Sequence, residues 1–263
     1  AAAGRTAPGL AATVPRPQTK GRSMPSETYQ QLLARIRDYH TAVSIEGLLE
    51  WDQETMMPAK GAEQRAQQLA FIAGTAHTRL TDLEFGRLLE KAEREGDTDP
   101  DVATNVRETR RVFDRKIKLP TALVQDIARA IALGKEAWMK ARKESNFSAF
   151  APHLERMLDL KRQVAEKVGY TGEPYDALMD EFEPGARATE IQQVFDNLRK
   201  QLVPLVEAIK SAPRKPDAGA LTRHAPKSAQ DAFNRAVAAA MGFDFEAGRL
   251  DVSTHPFCSG LTP

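Results

Sequence analysis

The sequence predicts an all-α protein of many helices, with one short β-strand near its C-terminus. Three observations carry that expectation. Apolar residues recur at three- and four-residue steps from about Ser26 to Met241, the period of a helix with one buried face. Asp, Pro and Gly stand where such stretches should start and stop. Strict alternation is confined to Arg249–Phe257, where Leu250 and Val252 fall on one side and Asp251 and Ser253 on the other.

The first helix is marked by Leu32, Leu33, Ile36, Tyr39, Val43 and Ile45 to Leu49, and breaks at Met56, Met57, Pro58 and Gly61. The second carries Leu69, Ile72, Ala73, Ala76 and Leu80 on one side. Thr81 with Glu84 reads as a capping box for a short helix reaching about Glu95. Asp99-Pro100 reads as N-cap and first-turn proline of a helix with Val102, Val106, Phe113 and Ile117. Pro120 separates it from the next, which carries Val124, Ile127, Ile131, Trp138 and Ala141. Phe150, Leu154, Leu158, Val164 and Val168 form a further stripe, closed by Gly169. A short helix near Tyr175 to Phe182 should stop at Pro184-Gly185. Thr189 and Gln192 read as a second capping box, before a helix with Val194, Phe195, Leu198 and Leu202 that should kink at Pro204. Prolines and a glycine between Ser211 and Ser228 predict a loop, and a last helix runs from Ser228 to Met241, capped by Gly242. The strand that follows has no evident partner for its backbone groups, so the chain is expected to end in mid-structure. No fixed repeat period is visible, which disfavours a solenoid.

Composition narrows the function classes. Lys and Arg total 37 against 36 acids, a net charge of +1 that offers no general grip on nucleic acid or anionic membrane. No apolar run approaches the ~20 residues of a membrane-spanning helix, so no membrane partner is expected. A single cysteine, Cys258, fits a reducing compartment such as the cytoplasm. Residues 1–23 differ from the rest: Arg5, Arg16, Lys20 and Arg22 stand there without an acid, among Pro8, Pro15 and Pro17. They read as a disordered stretch, either an organelle transit segment or translated sequence upstream of Met24. Residues 24–263 carry the remaining net charge of −3 and form the second division of the chain.

The generic catalytic motifs are absent. There is no phosphate-cradling glycine loop and no G-x-S-x-G or S-x-x-K for an activated serine. The histidines are His40, His77, His153, His224 and His255, and none lies four residues from another, so no helix offers a paired-His zinc face. None lies three residues after a Glu, which removes the di-iron bundle arrangement. Asn146-Phe147-Ser148 matches a glycosylation sequon, read as chance in a chain without a secretory signal.

Two segments remain. Leu49-Glu50-Trp51-Asp52-Gln53-Glu54-Thr55-Met56-Met57-Pro58 resembles the N-terminal signature of the carboxypeptidase Taq family of zinc metallocarboxypeptidases. Asp251-Val252-Ser253-Thr254-His255-Pro256-Phe257 contains what resembles that family's His-Pro-Phe motif, after Met241-Gly242-Phe243 and Gly248-Arg249-Leu250. The tripeptide is weak by itself; the order of both blocks over most of residues 27 to 263 is specific.

The resemblance implies an all-α, cleft-forming metallopeptidase architecture, here truncated to its N-terminal half. It implies removal of C-terminal amino acids from peptide substrates with a free C-terminus, by water activated on zinc. In the family a His-Glu-x-x-His helix and a later Glu hold the metal, the first Glu acting as base, and a later arginine motif holds the substrate carboxylate. None of those residues is in this chain, so no catalytic residue and no metal ligand is expected here, and a homodimer is the expected assembly. The family's Asp-x-Arg-x-Thr block would follow Pro263.

His255, Pro256 and Phe257 are the substrate-cleft candidates; the bland reading of His255 is a hydrogen-bonded anchor at a strand end. Trp51 is expected to pack, Asp52 to bond backbone or cap groups at a helix end, and Met56 and Met57 to fill core. Arg249 is expected to pair with an acid, and Arg110-Arg111 and Arg214-Lys215 to be solvated. The alternative to the enzyme reading is a non-catalytic helical scaffold that binds a partner. The alternative to the cytoplasm is an organelle, should residues 1–23 be a transit segment.

Overall fold

In the computed structural model, residues 26–219 and 221–260 are described, and they form nine α-helices with no strand. The reading of residues 1–23 lies outside them. The helices are α1 (Glu27–Thr55), α2 (Ala62–Leu80), α3 (Leu83–Glu95), α4 (Pro100–Lys116), α5 (Thr121–Lys143), α6 (Phe147–Val168), α7 (Pro174–Met179), α8 (Ala188–Ser211) and α9 (Lys227–Ala240).

α2 is the spine. Its small residues Ala66, Ala70, Ala73, Gly74 and Ala76 are all buried, so neighbouring helices approach closely on both sides. A Cβ at Gly74 would collide with the Gln125 side chain of α5. One core cluster joins Tyr29 and Leu32 of α1, Leu80 of α2, Phe85 and Leu89 of α3, and Val102, Val106 and Phe113 of α4. Phe85 and Phe113 stack nearly parallel, 5.8 Å between centroids. A second joins Leu119 and Leu123 with Leu160 and Val164 of α6. A third, between α2 and α5, is Ala66, Leu69 and Ala132. His77 ties these together: its Nε2 lies 3.0 Å from the Lys116 carbonyl and its Nδ1 3.0 Å from Thr121 Oγ1. A carbonyl only accepts, so in the neutral ring Nε2 carries the hydrogen and Nδ1 accepts from the threonine.

The helix boundaries follow local chemistry, with corrections. Asp99 caps α4 as expected, its carboxylate accepting from Asp101 N, with Pro100 in the first turn. Gly169 and Gly242 end α6 and α9 at positive φ, 85° and 89°, where a Cβ would be strained. The cap of α3, however, is Asp82 rather than Thr81; Asp82 Oδ1 accepts from Glu84 N and Phe85 N, while Thr81 donates to His77 O. Thr189 does not cap α8 either, since it lies inside the helix. Asp176 of α7 supplies that function from a distance, accepting from Ala188 N at 2.8 Å. Asn146, the sequon residue, caps α6 by accepting from Ala149 N.

The expected strand over 249–257 is not formed: the segment has no ladder partner among the described residues and runs as irregular chain. Met56 is exposed rather than core, because α1 ends beside it and the chain turns away. Leu154 and Leu158 also face outward, whereas Val164 of the expected stripe is buried, together with Leu160 and Ala165. Arg110 is not a free surface cation, since it holds Glu93 through two 2.8 Å contacts and lies over Phe113. Arg111 donates to Asp180 O, and Lys215 donates to carbonyls at the end of α8.

α8 and α9 have no buried residue. On α8, Val194, Phe195, Leu198, Leu202 and Ile209 are all exposed, Phe195 by 59%. On α9, Phe233 and Val237 are exposed as well, as is Met241 just after it. Apolar faces left open to water in this way mark surfaces that an interaction can cover.

Candidate functional site

The two sequence blocks meet, through residues 200 positions apart in the chain. α1 brings Trp51 to its C-terminal end, and the irregular segment after α9 returns to it. Trp51 Nε1 donates to Asp251 Oδ2 at 3.2 Å. Arg249 donates to both Asp251 oxygens, at 2.9 and 3.2 Å, and its guanidinium lies 5.0 Å from the Trp51 ring centre. Asp251 is thus held by three donors, and the Arg249 hydrogen bonds above all, then that of Trp51, push its carboxyl below the usual range.

Four residues on, His255 sits edge-on to Trp138 of α5, 6.1 Å between ring centres. The Arg142 guanidinium lies 5.3 Å from the centre of the same indole. His255 Nδ1 is 2.9 Å from the Pro256 carbonyl, and Ser253 Oγ donates to His255 O. Arg235 of α9 donates to Leu250 O at 3.2 Å, giving the segment a third attachment. His255, Pro256 and Phe257 are exposed.

Behind the indoles lies the α1–α5 seam. Gln53, buried, donates to Ala132 O at 3.0 Å and to Glu136 Oε1 at 3.2 Å. Glu54 pairs with Lys135. Asp52 binds Arg65 of α2 at 2.5 Å, and Arg65 also donates to Leu49 O. The Asp52 carboxylate therefore serves a guanidinium, not the backbone groups expected from sequence; only its carbonyl accepts the N–H groups of Met56 and Met57. A cavity of about 40 Å³, large enough for ordered water, is lined here by Glu46, Glu50, Gln53 and Lys135. Burial, with Glu50 adding to it, raises the Glu46 carboxyl to about 7. A larger cavity of about 360 Å³ lies between the start of α1, α3 and α4 and shares no lining residue with the 251–257 segment.

The structure thus places Trp51, Arg249 and Asp251 together, and His255 with Trp138. Trp138 and Arg142 carry no site signal in the sequence, because tertiary packing alone links them to His255. As a metal site the region does not fit: among the described residues no group of three or more His, Cys, Asp or Glu could hold an ion. No described helix is long and apolar enough to cross a membrane.

Comparison with known proteins gives a consistent result. The family described as carboxypeptidase Taq (M32) metallopeptidase matches residues 28–263. The thermostable carboxypeptidase 1 of Thermus thermophilus is 37% identical over 251 residues, covering 91% of this chain and 49% of the relative. Carboxypeptidase 1 of Bacillus subtilis is 31% identical, covering 90% of this chain and 48% of the relative. Among solved structures, one titled BsuCP superposes with a TM-score of 0.84 at 27% identity, covering 90% of this chain and 48% of that one. The M32 carboxypeptidase of Deinococcus radiodurans superposes at 0.71 with 35% identity, covering 90% of this chain and 47% of that one. The chain spans about half the length of the curated relatives it matches.

Proposed function

The chain belongs to the carboxypeptidase Taq (M32) metallopeptidase family, and from that premise we propose that residues 24–263 form the N-terminal wall of a metallocarboxypeptidase cleft. The activity would be removal of C-terminal amino acids from peptides, in the cytoplasm and as a homodimer. The metal would be zinc, polarising the scissile carbonyl and its water. Its ligands would come from the part of the family fold that this chain does not span, since the described residues hold no donor set for it. His255, Pro256 and Phe257 would line the substrate side of the wall.

The observation that carries this reading is the apolar outer face of α8 and α9. It stands uncovered in a chain that matches its relatives over 47–49% of their length. The second part of the family fold is the natural cover for it, and the catalytic residues would arrive with that cover.

The test is turnover. Residues 24–263 with added Zn²⁺ should release no C-terminal residue from a blocked dipeptide. Mixing them with the complementary half of the Thermus thermophilus relative should produce a 1:1 complex, with release of the C-terminal residue. Metal-dependent turnover by this chain alone, or a complementary half that never binds, would defeat the reading.

A further inference from the structure

We propose that Trp51 and Trp138 are positioning residues, a pair of indoles on adjacent helices that together set where His255 stands. This deepens the reading of the 251–257 segment as cleft wall and rests on it.

The segment is irregular chain and cannot fix its own position by a ladder. It is attached at both ends to aromatic rings instead. At one end the Trp51 indole N–H holds Asp251, while Arg249 closes over the ring face and grips the same carboxylate. At the other, the His255 imidazole rests edge-on against Trp138, which Arg142 covers by its guanidinium. Charge-assisted bonds to Asp251 are the stronger kind, and the ring contacts add orientation.

The two indoles are themselves held at a fixed spacing. Gln53, two residues after Trp51, donates to Glu136, two residues before Trp138. Glu54 and Lys135 cross the same seam, each one position further in sequence from its indole. α1 and α5 also share α2 as their packing partner. The placement of His255 is thereby a property of the α1–α5 seam, transmitted through Trp51, Asp251 and Trp138.

Trp51 and Trp138 are the two tryptophans of the chain, and His255 is one of five histidines, so the site can be watched by ¹H–¹³C NMR of labelled histidine. H255Q assigns the resonance, and W138F measures how far the Trp138 ring current displaces it. Expected in the full chain: W51F and D251N each move the His255 signal most of the way towards its W138F position. The double variant W51F/D251N should move it by less than the sum of the two single changes, because both act through the Asp251 carboxylate.

A His255 resonance that stays in place in D251N and W51F overturns the proposal, as does one that W138F leaves unmoved. D251N is nearly isosteric and sits at a partly exposed site, so it decides the matter should W51F fail to fold. The readout requires no turnover, so the clamp and the peptidase reading fail separately.

Discussion

Lys135 of α5 reaches across the helix seam to Glu54 of α1, a side chain only 4% exposed whereas the lysine is 35% exposed. Burial lowers the lysine's pKa, against the attraction of Glu50 and Glu136. The pair is therefore asymmetric: removing the lysine strands a carboxylate that water does not reach. K135M should cost about 1–3 kcal/mol by urea unfolding, below the range for a wholly buried pair because the lysine is partly solvated. E54Q together with K135M should recover most of that loss. A K135M chain as stable as the parent would mean that Glu54 finds another donor.

Glu46 gives the seam a pH dependence whose sign is fixed. Its carboxyl is raised from 4.5 to about 7, first by burial and then by Glu50, with Lys116 opposing. Between those values the folded chain keeps a proton that the unfolded chain has released. Stability from this group therefore falls as pH rises through that window. E46Q should match the parent near pH 5 and exceed it at pH 8. The gain should be about 1 kcal/mol after allowance for partial exposure, or roughly 2–4 °C in Tm. Parallel melting curves across pH for the two chains would exclude Glu46 as the group responsible.

The fold was legible where the signals were local, and the site only in part. Periodicity and punctuation located each of the nine α-helices among the described residues, because apolar spacing and cap chemistry act within four residues. The two caps misread, Thr81 and Thr189, failed for a shared reason: a stronger or more distant carboxylate, Asp82 or Asp176, took the amide first. The 249–257 alternation is a period without a partner, and a strand needs the partner. His255 could be marked by its motif, but Trp138 could not, since tertiary packing alone brings α5 to it.

Phe85 is wholly buried and stacked on Phe113 where α3 meets α4, with α1 and α2 closing the same core. F85A should cost about 3–5 kcal/mol, the range for emptying an aromatic site that cannot collapse. F85L should cost less, since it keeps most of the volume. Urea midpoints at unchanged m-value would measure both, and an F85A cost below that of F85L would show the site to be loosely packed.

α8 supplies the opposite case. Phe195 and Leu198 are as apolar as Phe85 yet over half exposed, and no residue of α8 is buried. Their burial cannot contribute to the stability of this chain, so F195E and L198E should leave its Tm within the effect of about 0.5 kcal/mol usual for surface changes. The same substitutions should reduce binding of an apolar dye and concentration-dependent self-association, both driven by uncovered apolar area. They should also abolish capture of the complementary half of the Thermus thermophilus relative, because a charge placed under a covering surface is desolvated without a partner. Tm, dye binding and capture separate the outcomes. Loss of stability in F195E would place α8 inside the core of this chain, whereas unimpaired capture would place the covering surface elsewhere.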